Sequence, residues 1–244
     1  MKDRICVVAG NFPIARDVFR MKLICPEHSF TAPGQFLNLK INGLYLRRPI
    51  SICDWDSESV DIIYKVIGKG TETLSKMASG DEISALMPLG NGFDTNRCGQ
   101  KPLLIGGGVG TPPLYGLVKA LIAQGKKPTA VLGFNSAVDA MLIQEFEALG
   151  VSVHITTVDG TLGMKGFVTD AIRELSGYTD YCACGPELML KAVFAVCPTD
   201  GQLSFEARMA CGFGACMGCS CQTRSGSKRI CKDGPVLLKE DLIW

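Results

Sequence analysis

Leu103-Leu104-Ile105-Gly106-Gly107-Gly108-Val109-Gly110-Thr111-Pro112-Pro113-Leu114 places a run of glycines between an apolar strand and the start of a helix. Glycine lets the chain turn sharply and lets a pyrophosphate approach the backbone, while free N–H groups and the dipole at the helix N-terminus stabilise the anion. Thr111 adds a hydroxyl, and Pro113 suits the first helical turn. No Lys-Ser or Lys-Thr follows the glycines, so the stretch is not a Walker A loop. Gly107, Gly108, Gly110 and Thr111 are therefore candidate nucleotide contacts, against the bland reading of a tight turn that binds nothing.

Downstream the pattern alternates. Apolar strands at 103–105, 129–134, 151–156 and 181–184 are separated by helical stretches at 113–123, 138–149, 168–175 and 187–196, which predicts a parallel sheet with crossover helices. Cys184-Gly185-Pro186 repeats the strand, turn and helix arrangement, so two such loops can face one crevice at the carboxyl ends of the strands. Cys184 then stands where a nicotinamide ring can lie, positioning it rather than attacking it; an ordinary buried cysteine is the alternative. Gly133 to Asp139 offers no Arg or Lys for a 2′-phosphate and one acid, which favours NAD over NADP.

Upstream, short strands at 5–9, 18–25, 35–40, 50–53, 60–67 and 82–87, with one helix at 71–78, predict a small antiparallel barrel. Arg48-Pro49-Ile50-Ser51 joins a cation suited to bidentate phosphate contact, a rigid bend and a hydroxyl for a ring edge. Ile63-Tyr64-Lys65 leads into Gly68-Lys69-Gly70-Thr71, a second helix start suited to phosphate. Together these features suggest a flavin. The polar stretch 96–102 separates the two regions, giving three parts: a barrel over 1–97, a nucleotide-binding α/β domain over 98–200 and a small terminal segment over 201–244.

In that segment Cys211, Cys216, Cys219 and Cys231 stand as C-x4-C-x2-C-x11-C, and the first three repeat the ligand spacing of plant-type [2Fe-2S] sites. Gly and Ala between them leave room for the backbone to wrap a compact inorganic core. Four zinc ligands are the alternative, although zinc sites usually pair two short knuckles. Cys221 competes with Cys231 as fourth ligand but lies too close to Cys219 to hold a second corner.

Composition narrows the class. Lys plus Arg number 25 against 24 Asp plus Glu, so no global field points to nucleic acid or an anionic membrane. The longest apolar region, 103–123, is broken by glycines and prolines and carries Lys119, which argues against a membrane span. The N-terminus has too short an apolar run for a signal peptide, so a cytoplasmic protein is expected. Twelve cysteines in that setting favour metal binding and reduced thiols over disulfides. Neither His28 nor His154 lies in a nucleophile or metal motif.

The order of these motifs resembles the ferredoxin-reductase superfamily, and within it the electron-transfer subunits of class 1B dihydroorotate dehydrogenases. The resemblance covers essentially the whole chain, and the tail from Glu206-Ala207-Arg208-Met209-Ala210-Cys211 through Cys231-Lys232-Asp233-Gly234-Pro235 is its most specific part. It implies FAD on the barrel, NAD on the parallel-sheet domain and a [2Fe-2S] cluster facing a partner, an FMN-containing dihydroorotate dehydrogenase catalytic subunit, in a heterotetramer of two subunits of each kind. It carries flavin contacts to Arg48, Pro49, Ile50, Ser51, Ile63, Tyr64, Lys65, Gly70 and Thr71, and cluster ligation to Cys211, Cys216, Cys219 and Cys231. Lys65 replaces a frequent Arg, and Leu237 a frequent aromatic. Two other readings stay open: an NAD(P)H-dependent ferredoxin reductase-like subunit of another complex, such as a hydrogenase or sulfide reductase, and a zinc-stabilised or thiol-based nucleotide sensor.

Overall fold

Along Glu82–Leu89 every second side chain is buried, and Ile83, Ala85 and Met87 are at most 4% exposed. Such period-two burial requires a sheet with one dry face. In the computed structural model, which describes residues 1–244, six strands satisfy it by closing on themselves. They are β1 (Lys2–Ala15), β2 (Val18–Ile24), β3 (Phe36–Leu39), β4 (Arg48–Trp55), β5 (Ser59–Lys65) and β6 (Glu82–Leu89), in the barrel order β1-β2-β5-β4-β3-β6. Every pairing is antiparallel. Met21, Leu23, Leu37, Leu39, Ile52 and Ile62 fill the interior. β1 runs well beyond the expected 5–9 because register shifts at Val8/Gly10 and Pro13/Ala15 carry the pairing past residues that ordinarily stop a strand. Helix α1 (Lys69–Ser75) follows β5.

The second unit is a doubly wound sheet. Strands β7 (Leu103–Gly107), β8 (Thr129–Phe134), β9 (Ser152–Thr157), β10 (Met164–Lys165), β11 (Tyr181–Cys184) and β12 (Gly201–Ser204) are all parallel. Helices α2 (Thr111–Ala123), α3 (Ile143–Ala148), α4 (Val168–Glu174) and α5 (Glu187–Val196) supply the crossovers. A hairpin of β13 (Ser220–Thr223) and β14 (Gly226–Arg229), the short α6 (Ile230–Asp233) and strand β15 (Val236–Leu238) complete the chain. β15 returns antiparallel to β12, giving the order β10-β9-β8-β7-β11-β12-β15. The sheet thus takes in residues 201–204 and 236–238, past the 200 boundary drawn from sequence. The strand order reverses between β7 and β11, where open α/β sheets place their ligand crevice.

The helix expected over 138–149 is broken. Its first residues form a 3-10 turn at Ala137–Asp139, and α3 starts only after Leu142, whose φ of 62° is left-handed. The turn is pinned because Asp139 accepts hydrogen bonds from Arg16 Nε and Nη2 at 3.0 and 2.6 Å and from Ser136 Oγ at 2.7 Å.

Barrel and sheet share one core. Val18, Cys53 and Ile63 of the barrel are buried together with Leu104, Leu114, Leu117, Leu132 and Phe146 of the sheet unit. Apolar contact dominates this junction, since the bridging ion pairs Arg16–Asp139 and Lys119–Asp54 have half-exposed cations and a third, Arg20–Glu145, is long at 3.9 Å, so each contributes little. The approach is closest at Gly116 of α2, where a Cβ would lie 2.9 Å from the Cys53 carbonyl oxygen on β4. Mid-helix Gly→Ala ordinarily stabilises by up to about 1 kcal/mol. Gly116→Ala is expected instead to destabilise, by about 1 kcal/mol or more through overpacking, and a lowered Tm in thermal melts checks it.

Candidate cofactor sites

At the strand-order reversal, β7 and β11 run side by side with Cys184 opposite Gly106. The loops that follow touch through their backbones, because any Cβ at Gly110 would collide with the Cys184 carbonyl. In front of them opens a cleft of about 610 Å³, within the range of small-molecule cofactor sites. Gly107, Gly108 and Pro186 line it, while Gly110, Thr111, Cys184 and Gly185 form the packed layer behind. The Thr111 hydroxyl lies against Gly106 and has no hydrogen-bond partner, and Thr156 Oγ1, which lines the cleft through its residue, is likewise buried and unpaired. Burial pushes the Cys184 thiol up to about 12, with the neighbouring Glu206 carboxylate adding to the shift. The thiol is therefore protonated at neutral pH and is not a nucleophile.

Two features of this cleft were not evident from sequence. Glu206 lines it, and desolvation raises its carboxyl above the usual range. The barrel contributes Val18 and Lys65, so the cleft spans both units. The 135–139 loop has no cation of its own, yet Arg16 and Lys65 reach it from the barrel, and Asp139 is engaged by Arg16 rather than free.

On the barrel, the two candidate flavin motifs meet. The Arg48 guanidinium lies across Gly70, where any Cβ would strike it, and donates to the Leu46 carbonyl. Thr71 Oγ1 accepts from Ile67 N–H at 2.9 Å and donates to the Gly68 carbonyl at 3.1 Å, fixing the turn ahead of α1. Ile52 is in the barrel interior with Ile50 packed against it, so alternation turns Pro49 and Ser51 outward. Lys65 lines the nucleotide cleft and Ile63 joins the core shared by the two units. Tyr64 faces the other way: its ring is in the barrel interior and its hydroxyl donates to Asn11 Oδ1 at 2.9 Å. On the outer face of β5 Tyr64 offers only backbone.

The four tail cysteines form two pairs. Cys211 and Cys216 interact on the loop, and Cys231 at α6 interacts with Cys219. Three donor atoms of His, Cys, Asp or Glu come within 4.8 Å of one another at Cys98, Asp180 and Cys182, and not among these four. A mononuclear zinc would gather all four sulfurs around a single point, whereas two irons divide them two and two. Backbone N–H groups already point at the sulfurs: Ala215 and Cys216 donate to Cys211 Sγ at 3.3 and 3.5 Å, Gly218 to Cys216 Sγ at 3.5 Å and Cys231 to Cys219 Sγ at 3.4 Å. At Cys211 burial pushes the thiol up, but the N–H groups of Cys216, Phe213 and Ala215 outweigh it and bring it down to about 6. Burial and the Cys219 thiol hold Cys231 up at about 12. Gly212 and Gly214, with φ of 77° and 91°, supply the left-handed turns of the loop. Cys221 lies on the hairpin strand β13 opposite Lys228, outside both pairs. The Cys98, Asp180 and Cys182 trio is buried and internally bonded: Gly99 N–H and the Thr179 hydroxyl donate to Asp180 Oδ1, and Gln202 Nε2 to Cys98 Sγ.

The tail segment seats on the barrel. Phe36 of β3 is buried with Cys219, Ile230 and Cys231, and its cross-strand neighbour on β4 is Ser51. Because cluster and flavin residues belong to separate segments, Cys216→Ser is expected to abolish iron-sulfur absorbance while the flavin bands persist; simultaneous loss of both in the visible spectrum would contradict this layout.

Two family models match the chain: the iron-sulfur cluster binding domain of dihydroorotate dehydrogenase B over residues 206–243, and the oxidoreductase NAD-binding domain over residues 104–194. The dihydroorotate dehydrogenase B (NAD(+)), electron transfer subunit of Fusobacterium nucleatum subsp. nucleatum is 40% identical over 260 residues, covering 99% of each chain. Its counterpart in Listeria monocytogenes serotype 4a is 46% identical over 240 residues, covering 94% of each. Among solved structures, an NADH-dependent reduced ferredoxin-NADP oxidoreductase studied for flavin-based electron bifurcation superposes with a TM-score of 0.89 at 31% identity, over 98% of this chain and 90% of that one. No helix is long and apolar enough to cross a membrane.

Proposed function

The chain belongs to the family of dihydroorotate dehydrogenase B (NAD(+)) electron transfer subunits, and from that premise we propose how its residues divide the work. It passes electrons from a catalytic subunit that oxidises dihydroorotate, through [2Fe-2S] and FAD, to NAD+ in pyrimidine biosynthesis. The catalytic subunit carries FMN, and two subunits of each kind assemble.

The observation that carries this reading is adjacency. Cys219 and Cys231 share one buried core with Phe36, Phe36 pairs with Ser51 of the flavin motif, and Lys65 at the end of the next strand lines the nucleotide cleft. A bound flavin supplies the exchange between a hydride and single electrons that a one-electron cluster requires. The protein's own part is to bind and orient. Arg48, free to lie over Gly70, presents a guanidinium to a phosphate near the start of α1. Pro49 and Ser51 form the outward wall for the ring, Ile50 and Ile63 fix that wall to the cores behind it, and Tyr64 contributes main-chain groups. Gly107, Gly108 and Pro186 line the dinucleotide's crevice, with Gly110, Thr111, Cys184 and Gly185 setting its floor. Cys184, neutral and buried, shapes the nicotinamide end without reacting. Cys211, Cys216, Cys219 and Cys231 would hold the irons, and the N–H groups aimed at three of their sulfurs would tune the potential through hydrogen bonding.

Two measurements test the reading. Protein purified anaerobically with its partner should contain iron, acid-labile sulfide and FAD, and the complex should reduce NAD+ with dihydroorotate; material without acid-labile sulfide overturns it, and a different co-purifying enzyme replaces the dihydroorotate assignment. Arg48→Ala should lose FAD on extensive dialysis, at a cost of about 1.5–3 kcal/mol for a charge-assisted contact. Full FAD retention by that variant would remove Arg48 from phosphate binding.

A further inference from the structure

Strand β3 reads Phe36-Leu37-Asn38-Leu39, one amide among apolar residues. Leu37 and Leu39 point into the barrel, so Phe36 and Asn38 point out. Asn38 is 1% exposed, and asparagine is depleted in strands, so both its environment and its conformation need a reason. Its Nδ2 donates to the main-chain carbonyl of Cys211 at 3.3 Å, while its Oδ1 is buried with no partner. Across the barrel sheet, Asn38 stands directly opposite Pro49 of the flavin motif. On the other side it meets Gly212 so closely that any side chain at 212 would collide with the amide. One residue therefore touches the first cysteine of the cluster loop and adjoins the flavin strand.

We infer that Asn38 is a positioning residue for electron transfer: its amide fixes the Cys211 carbonyl, and with it the cluster loop, against the outer face of the flavin strand. The inference rests on the assignment of FAD and [2Fe-2S] to this chain. Architecture alone does not call for an amide here. A leucine of similar size would fill the same volume and remove the unpaired Oδ1, a buried polar atom that is unfavourable without a partner. A half-satisfied polar group kept at a seam between two cofactor sites is a group kept for its contact with the loop. Hydrogen-bonded partners just outside a metal's ligands orient those ligands, and their loss typically costs about 10–100-fold in activity.

The test uses the complete complex with its partner, as wild type, Asn38→Leu and Asn38→Asp. Asp keeps the size and, as the carboxylate, the acceptor without any donor for the Cys211 carbonyl. In single-turnover mixing with NADH, the flavin-bleaching phase should be unchanged, while the following reduction of the cluster, read from its visible absorbance, should slow about tenfold or more. The EPR signal of the reduced cluster should shift in both variants, and Asn38→Leu should melt no lower than wild type. A merely structural amide would instead lower the Tm and leave both the second phase and the EPR signal unaltered. Wild-type rates and EPR in variants with full iron, sulfide and FAD overturn the inference and leave the functional assignment standing; wild-type protein without acid-labile sulfide overturns that assignment instead. Should Asn38→Leu fail to fold, Asn38→Asp alone decides.

Discussion

The closeness of α2 to β4 is the constraint on which the arrangement of sites depends. Gly116 lets the helix that springs from the glycine-rich loop lie against the carbonyl of Cys53, two residues beyond Ser51. The barrel wall and the nucleotide crevice are thereby referenced to a single rigid contact, and the apolar core around it removes freedom that a linker would leave. With that contact fixed, Val18 and Lys65 become walls of a cleft built mostly from the other unit. A side chain between helix and strand would push the two walls of the cleft apart.

The cluster site relies on different physics. Its loop has few buried side chains, and its order comes from main-chain turns: left-handed residues at 212, 214 and 217, N–H groups converging on sulfur, and Arg229 Nη1 donating to the Gly214 carbonyl at 2.9 Å. The charge asymmetry between Cys211, held low by those donors, and Cys231, held high by burial, follows from position. One cysteine sits at the rim of the loop and the other beneath it.

Much of this was legible in the chain. The spacing of Cys211, Cys216 and Cys219 places candidate ligands on one local loop, and Gly106 to Gly110 encodes a turn that only small residues make. The alternation of strands and helices after residue 103 is similarly local. What stayed hidden depends on contacts distant in sequence. The inward rotation of Tyr64 follows from the barrel's closure, and Glu206 becomes a cleft residue only because β12 adds to the sheet's edge. The interruption near Leu142 traces to Arg16, on the far side of the chain from Asp139. β12 and β15 are too short for periodicity to reveal, and they pair only with each other and with β11.

That last pairing gives the cluster segment an unusual footing. Ser204 and Val236 stand opposite each other on adjacent strands, so residues 205–235 leave the sheet and return to it at one place, like a handle riveted to the sheet at one seam and steadied further out by the barrel. Because the rivets are backbone ladder bonds that need no iron, the sheet and barrel can complete themselves before the metal arrives. The handle's ends are already gathered by then, so ordering it around the metal carries a smaller chain-entropy cost than it would in a dangling tail. Assembly of the inorganic centre is thus separable in time from folding of everything that will communicate with it.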